Sequence, residues 1–185
     1  MPSPIAHAIT GYALSQLPLT KSTLTVRKAA TLPWRLSWIS IYGAFISVLP
    51  DFDFIPQWIT GLRFHRGPSH SLVAALLVSL LISSVVYGIA RRASYGKLFV
   101  FTFICYIAHL AMDAVTAGGD GMQLLWPLSE QYFRAPFSIF PPVHHSRGFW
   151  DASHAVFISV ELGYSLMVLY MLSLRKAKGQ RSENL

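Results

Sequence analysis

His65 and His70 stand in the stretch FHRGPSHS, at the entrance of the uncharged run LVAALLVSLLISSVVYGIA. Imidazole is the commonest side-chain metal ligand and the usual acid–base group near neutral pH. The Gly67-Pro68 kink between the two histidines can turn both rings toward one point. His109 and Asp113 fall four residues apart inside another apolar run, so a helix carries both on one face. Asp51 and Asp53 alternate around Phe52 in LPDFDFIP, where Pro50 and Pro56 stiffen the chain. One carboxylate can meet an ion while the other orients a ligand. His7, in PSPIAHAITG, completes a set of His7, Asp51, His65, His70, His109 and Asp113. That set exceeds the four ligands zinc takes, which gives room for one or two divalent ions, zinc first and manganese or magnesium next. Paired ions about 3.5–4 Å apart suit phosphoester hydrolysis. Arg66 is then positioned to hold a phosphate oxygen by a forked contact. Asp53 is expected as general base or as the orienter of a ligand.

Every one of these residues has an ordinary reading too. His7 can be a core histidine, the Asp51/Asp53 pair a helix terminator, and His65 and Arg66 interfacial side chains. His109 and Asp113 can form a polar clamp between helices. His144 and His145 read as loop residues. His154 and Glu161 lie seven apart on one helix face and can reach the same cluster. The joint case is stronger than its parts, because it depends on where the chain must put them.

The 185-residue chain is 53% hydrophobic and only 12% charged, whereas soluble domains carry about 25% charge. It therefore reads as an all-α, polytopic membrane bundle of four to five spans. A single domain covers 1–176, and a polar, frayed cytoplasmic tail covers 177–185. Runs near 4–19, 34–49, 70–90, 97–118 and 154–174 are apolar enough to cross a bilayer, the first two weakly. No basic leader precedes them, so the start does not read as a signal peptide. Cys105, the only cysteine, sits in an apolar run and reads as a buried structural thiol.

Basic residues set the orientation. Lys21, Arg27, Lys28 and Arg35, then Arg91, Arg92 and Lys97, then Arg175, Lys176, Lys178 and Arg181 fall in segments that the positive-inside rule assigns to the cytoplasm. Only Arg63, Arg66, Arg134 and Arg147 are left outside. The net charge of +7 is thus a topology signal, and nucleic-acid binding loses its support. The same path brings every acid but Glu183, and nearly every histidine, to the outer face, although the histidines were not used to draw it. The two outer loops, 50–69 and 119–153, are aromatic and Pro-rich, as interfacial or re-entrant segments are.

Taken in order, the segments PSPIAHAITG, LPDFDFIP, HRGPSHS and HLAMDAVTAGG running into LLWPL resemble the YdjM-like family of predicted membrane-bound metal-dependent hydrolases, over about residues 1–128. The resemblance implies a bacterial inner-membrane protein with a His/Asp metal site. The ligand types are also similar to those of zinc-dependent phospholipase C and P1-type nucleases. Those enzymes carry an H-x-x-x-E helix that this chain lacks, which speaks against three metals. The expected function is a metal-dependent hydrolase at the periplasmic face, cleaving a phosphoester of a lipid or lipid-linked molecule. The rival is a non-catalytic metal-binding or transport protein. Transport needs polar residues continuing toward the cytoplasm, where the spans offer only Ser, Thr and Tyr. No oligomeric state follows from the sequence.

Overall fold

The first helix, α1 (Pro4–Ser15), begins with Ser3 as its cap, whose Oγ accepts from the Ala6 amide, and with a proline in its first turn. The computed structural model describes residues 2–17, 37–62, 64–89, 94–142 and 151–183. After α1 come α2 (Trp38–Val48), a 3-10 turn at Leu49–Asp53 and the short helix α3 (Phe54–Thr60). Gly61, at φ 70°, ends α3 in the left-handed conformation that a Cβ disfavours. A second 3-10 turn, Pro68–His70, leads into α4 (Leu72–Ile89), whose first turn is held by Ser71 Oγ accepting from the Ala74 amide. The helices α5 (Tyr95–Ala114) and α6 (Ala152–Glu183) follow. Among the described residues the only strand-like pairings are two isolated bridges, Thr116 with Phe140 and Met122 with Phe133.

Among the described residues four segments are long and apolar enough to cross a membrane: Trp38–Thr60, Leu72–Ile89, Tyr95–Ala114 and Ser153–Lys178. The fold is an all-α membrane bundle, as expected. Three boundaries differ from the expectation. The span expected at 4–19 is a helix of 12 residues, about 18 Å long against the roughly 30 Å of bilayer hydrocarbon. The loop expected from residue 50 is helical as far as Thr60, because Pro50 opens a new 3-10 turn, where its missing N–H costs nothing. The tail expected to fray from 177 continues α6 through Glu183. Arg63, His144 and His145, with most of the basic stretch between α1 and α2, lie outside the described residues.

α1 lies antiparallel along α2. Ser15 Oγ donates to Ser40 Oγ at 3.1 Å at one end, and midway Gly11 meets Gly43. A Cβ at Gly11 would fall 2.1 Å from the Gly43 carbonyl oxygen, so only glycine permits this crossing. Small residues serve the same purpose between membrane helices generally, where close backbone approach replaces the hydrophobic effect. α5 packs between α2 and α4. Ile39, Ile46, Phe101 and Cys105 fill the α2–α5 seam, and Ala75, Tyr106, Leu110 and Met122 fill the α4–α5 seam. Cys105 is a fully buried thiol, as expected. The segment 115–142 folds back over one end of the bundle. Leu124 O accepts from the Leu72 amide, Arg66 O from the Gln123 amide and Ala114 O from the Ala135 amide. The candidate residues collect at that end.

Candidate metal centre

α5 brings His109 and Asp113 inward one turn apart, both at most 1% exposed. The 3-10 turn after α2 aims Asp51 into the bundle and leaves Phe52 half exposed. The Pro68–His70 turn aims His70 at the same point. Asp51, His70, His109 and Asp113 each offer one ligand atom, and these atoms lie within 4.8 Å of one another.

The histidine tautomers decide what meets there. His109 Nδ1–H donates to the Ser47 carbonyl oxygen at 2.8 Å. His70 Nδ1–H faces Asp53 Oδ2 at 3.1 Å and Ser69 Oγ at 3.0 Å. Both rings therefore turn Nε2 inward, and the two Nε2 atoms stand 3.1 Å apart. Asp51 Oδ1 lies 3.7 Å from one and 3.6 Å from the other, and Asp113 Oδ2 lies 3.5 Å from His70 Nε2. Two lone pairs and two carboxylates, all buried, converge without a donor among them. Both oxygens of Asp51 and both of Asp113 are buried with no hydrogen-bond partner. Buried polar atoms are nearly always paired, so such a group of orphans is one that could hold a cation. Charge agrees. Among the described residues, three carboxylates, Asp51, Asp53 and Asp113, gather here with one arginine, Arg66, which pairs with Asp113; with the histidines neutral, two negative charges are left for a divalent ion to offset. The donor set of two imidazoles and two carboxylates suits zinc and, with less preference, manganese.

The remaining expected residues lie one layer out. Asp53 accepts from His65 Nδ1 at 2.8 Å, from Ser69 Oγ at 2.5 Å and from the Arg66 amide at 3.2 Å, besides facing His70. His65 touches Asp53 rather than the inner four, with its ring stacked 3.7 Å over Phe54. Asp53, His65 and His70 form a second group with ligand-type atoms within 4.8 Å. His7 stacks on His109 with ring centroids 4.0 Å apart and reaches Asp113 Oδ1 at 3.5 Å. Both its ring nitrogens are buried without a hydrogen-bond partner. Arg66 contacts Asp113 Oδ2 through Nε at 3.3 Å and adopts φ 63°, a conformation costly for a residue with a side chain. Glu161 does not join the cluster through any described contact. It accepts the Ser3 amide instead and ties α6 to the start of α1.

Sequence reasoning missed the supports of this shell. Ser69 holds Asp53, the Ser47 carbonyl fixes His109, and Tyr106 Oη donates to the Ser69 carbonyl at 2.7 Å. Gln57 Oε1 accepts from the Phe64 and His65 amides and closes the loop between α3 and the HRGPSHS stretch. Ser69 adjoins His70, so position in the motif was a signal. A backbone carbonyl such as that of Ser47 leaves none.

The family described as YdjM inner membrane protein matches residues 1–179. Inner membrane protein YbcI of Escherichia coli (strain K12) is 35% identical over 127 residues, covering 63% of this chain and 70% of that protein. Uncharacterized protein YfhP of Bacillus subtilis (strain 168) is 28% identical over 89 residues, covering 46% of this chain and 27% of that protein. No solved structure matches the chain.

Proposed function

The chain belongs to the YdjM inner membrane protein family and is a multi-pass inner-membrane protein, and from its buried His/Asp cluster we propose that it is a metal-dependent hydrolase of phosphoesters. The observation that carries this reading is the convergence of Asp51, His70, His109 and Asp113 with no donor among their facing atoms. These four would hold one divalent ion, zinc by ligand type. Asp53, His65 and His70 are the other place where ligand-type atoms gather. The hydrogen bond from His70 Nδ1 to Asp53 favours an orienting pair behind a single ion. Such an ion supplies Lewis acidity and lowers the pKa of water toward about 7.

The chain's own residues supply the rest. Asp53 has its oxygens engaged by His65, Ser69, His70 and the Arg66 amide, so of its two expected roles we assign it the orienting one. Arg66 faces the phosphoryl group and offsets charge that develops on it. His7 backs Asp113 and His109. Exposed Phe52, Ile55, Trp58, Ile59 and Leu62 border this end of the bundle, which favours a lipid or lipid-linked ester over a soluble one. By the positive-inside rule the site opens to the periplasm. A transport reading requires a polar path below the cluster. The buried polar groups described there are short hydroxyls: Tyr42 bonds to Thr102 at 2.5 Å and Ser83 to Thr102 at 3.2 Å, as between structural membrane helices, and Ser79 Oγ is buried without a partner.

The test is a phosphoester screen, lipid and soluble, on detergent-purified protein loaded with zinc or manganese. Phosphate release that disappears with chelator and with Asp113→Ala supports the reading. Stoichiometric metal without turnover of any ester contradicts it and leaves a non-catalytic metal protein. Reporter fusions at Lys97 and Gly121 should report opposite sides; the same side for both would contradict the orientation.

A further inference from the structure

The Arg66 guanidinium has more N–H groups than its ion pair with Asp113 uses. Asp113 meets its Nε edge at 3.3 Å, while Nη2 is buried with no hydrogen-bond partner. The residue is 8% exposed, so water does not readily satisfy that nitrogen. An unpaired guanidinium N–H in such a place asks for an anion. Nη1 lies against Gly119, where an added Cβ would come within 3.9 Å of it and within 4 Å of nothing else. Gly118 and Gly119 take φ 85° and 67°, so the chain turns away here in a conformation that favours glycine, and neither residue places a side chain beside Arg66.

A second guanidinium reaches the same glycine from outside. Arg134 Nη1 donates to the Gly119 carbonyl oxygen at 3.3 Å, and Arg134 is exposed. Its position is fixed by its neighbours: Phe133 and Met122 exchange backbone hydrogen bonds at 2.7 and 2.9 Å, and the Ala135 amide donates to Ala114 O at 2.9 Å. A line therefore runs outward from the carboxylate cluster to buried Arg66, to Gly119, to exposed Arg134. Beyond it, Phe133, Phe137 and Ile139 of the same loop are exposed.

We infer that the substrate carries two linked phosphoryl groups, the terminal one held by Arg66 beside the His/Asp cluster and the inner one by Arg134 across Gly119, with its hydrocarbon leaving over the apolar rim. This rests on the hydrolase reading above and narrows its substrate to a lipid diphosphate. In the reaction, the oxygen of water forms a bond to the terminal phosphorus. The bridging P–O bond breaks, its electron pair stays on the leaving monophosphate ester, and the protons of water pass to the two products. No oxidant or second substrate is needed.

The experiment compares dodecyl diphosphate with dodecyl monophosphate on the full chain in detergent, with zinc or manganese present, following inorganic phosphate. The diphosphate should be the better substrate by kcat/KM, releasing one phosphate and accumulating dodecyl monophosphate. Arg134→Ala should lower kcat/KM for the diphosphate about tenfold more than for the monophosphate, one charged contact's worth. Arg134→Lys should recover part of that loss. Equal losses on both substrates, or a wild-type preference for the monophosphate, would overturn the inference and leave the hydrolase reading standing. Release from neither substrate, with hydrolysis of other phosphoesters, overturns the inference alone; release from no ester at all overturns both.

Discussion

α4 and α5 are adjacent spans built in opposite ways. α4 is the most apolar of the four candidate spans, yet only 17% of its apolar stretch is buried inside the protein; in α5 the figure is 44%. α5 carries His109, Asp113, Thr102 and Tyr106, all buried. In a bilayer the greasiest surface faces lipid, and polar groups turn inward to find partners. The difference separates two kinds of position. On α4 most side chains are chosen for lipid, and only Ala75, Ser79 and Ser83 are buried. On α5 and the turns around it, side chains are chosen for one another and for the charge they enclose.

Substitutions should divide along that line. The largest effect is expected at Asp113, where alanine strands Arg66 and removes one wall of the cluster. Breaking a buried charge pair costs about 3–5 kcal/mol, and Asp113→Ala should both lose its metal and melt earlier in detergent. Next comes Gly11→Ala, whose Cβ would meet the Gly43 carbonyl oxygen at 2.1 Å. Overpacking of this kind costs about 1–3 kcal/mol, and a thermal scan should show the drop. Asp53→Asn keeps the shape but weakens the hold on His70. A lost orienting partner costs about 10- to 100-fold in metal affinity, readable by competition with a chelating dye. The smallest effects belong to α4. A Cβ at Gly88 meets nothing within 4 Å, and Leu81 is exposed. Gly88→Ala and Leu81→Ala should each stay within about 0.5–1 kcal/mol of wild type. A drop for Gly88→Ala as large as that for Gly11→Ala would erase the contrast between the two regions.

Much of the site was legible in the sequence because ionisable residues are rare in apolar runs. His109 and Asp113, four apart, announced a shared face, and the alternation of Asp51 and Asp53 announced a division of labour between inner and outer positions. The topology, drawn from Lys and Arg alone, gathered them at one end. What stayed hidden depends on distance in space. Nothing in the spacing separates His70, which enters the inner four, from His65, five residues earlier, which stops at Asp53. The length of α1 was not legible either, since residues 4–19 are apolar enough to be taken for a weak span and the helix ends at Ser15. Nor was the Gly11–Gly43 crossing, in which each glycine matters only because the other faces it. Pro50 looked like the end of a span, yet a 3-10 turn accommodates it and carries Asp51 to the site.

The central claim is that Asp51, His70, His109 and Asp113 enclose a divalent cation. Elemental analysis of the purified wild-type chain beside Asp113→Ala and His70→Ala addresses it most directly. The account predicts at least one zinc or manganese per wild-type chain, and a content near zero in both variants while the wild-type helix signal is retained. Wild-type protein that stays free of metal even after incubation with zinc and manganese, yet is fully folded, would contradict it.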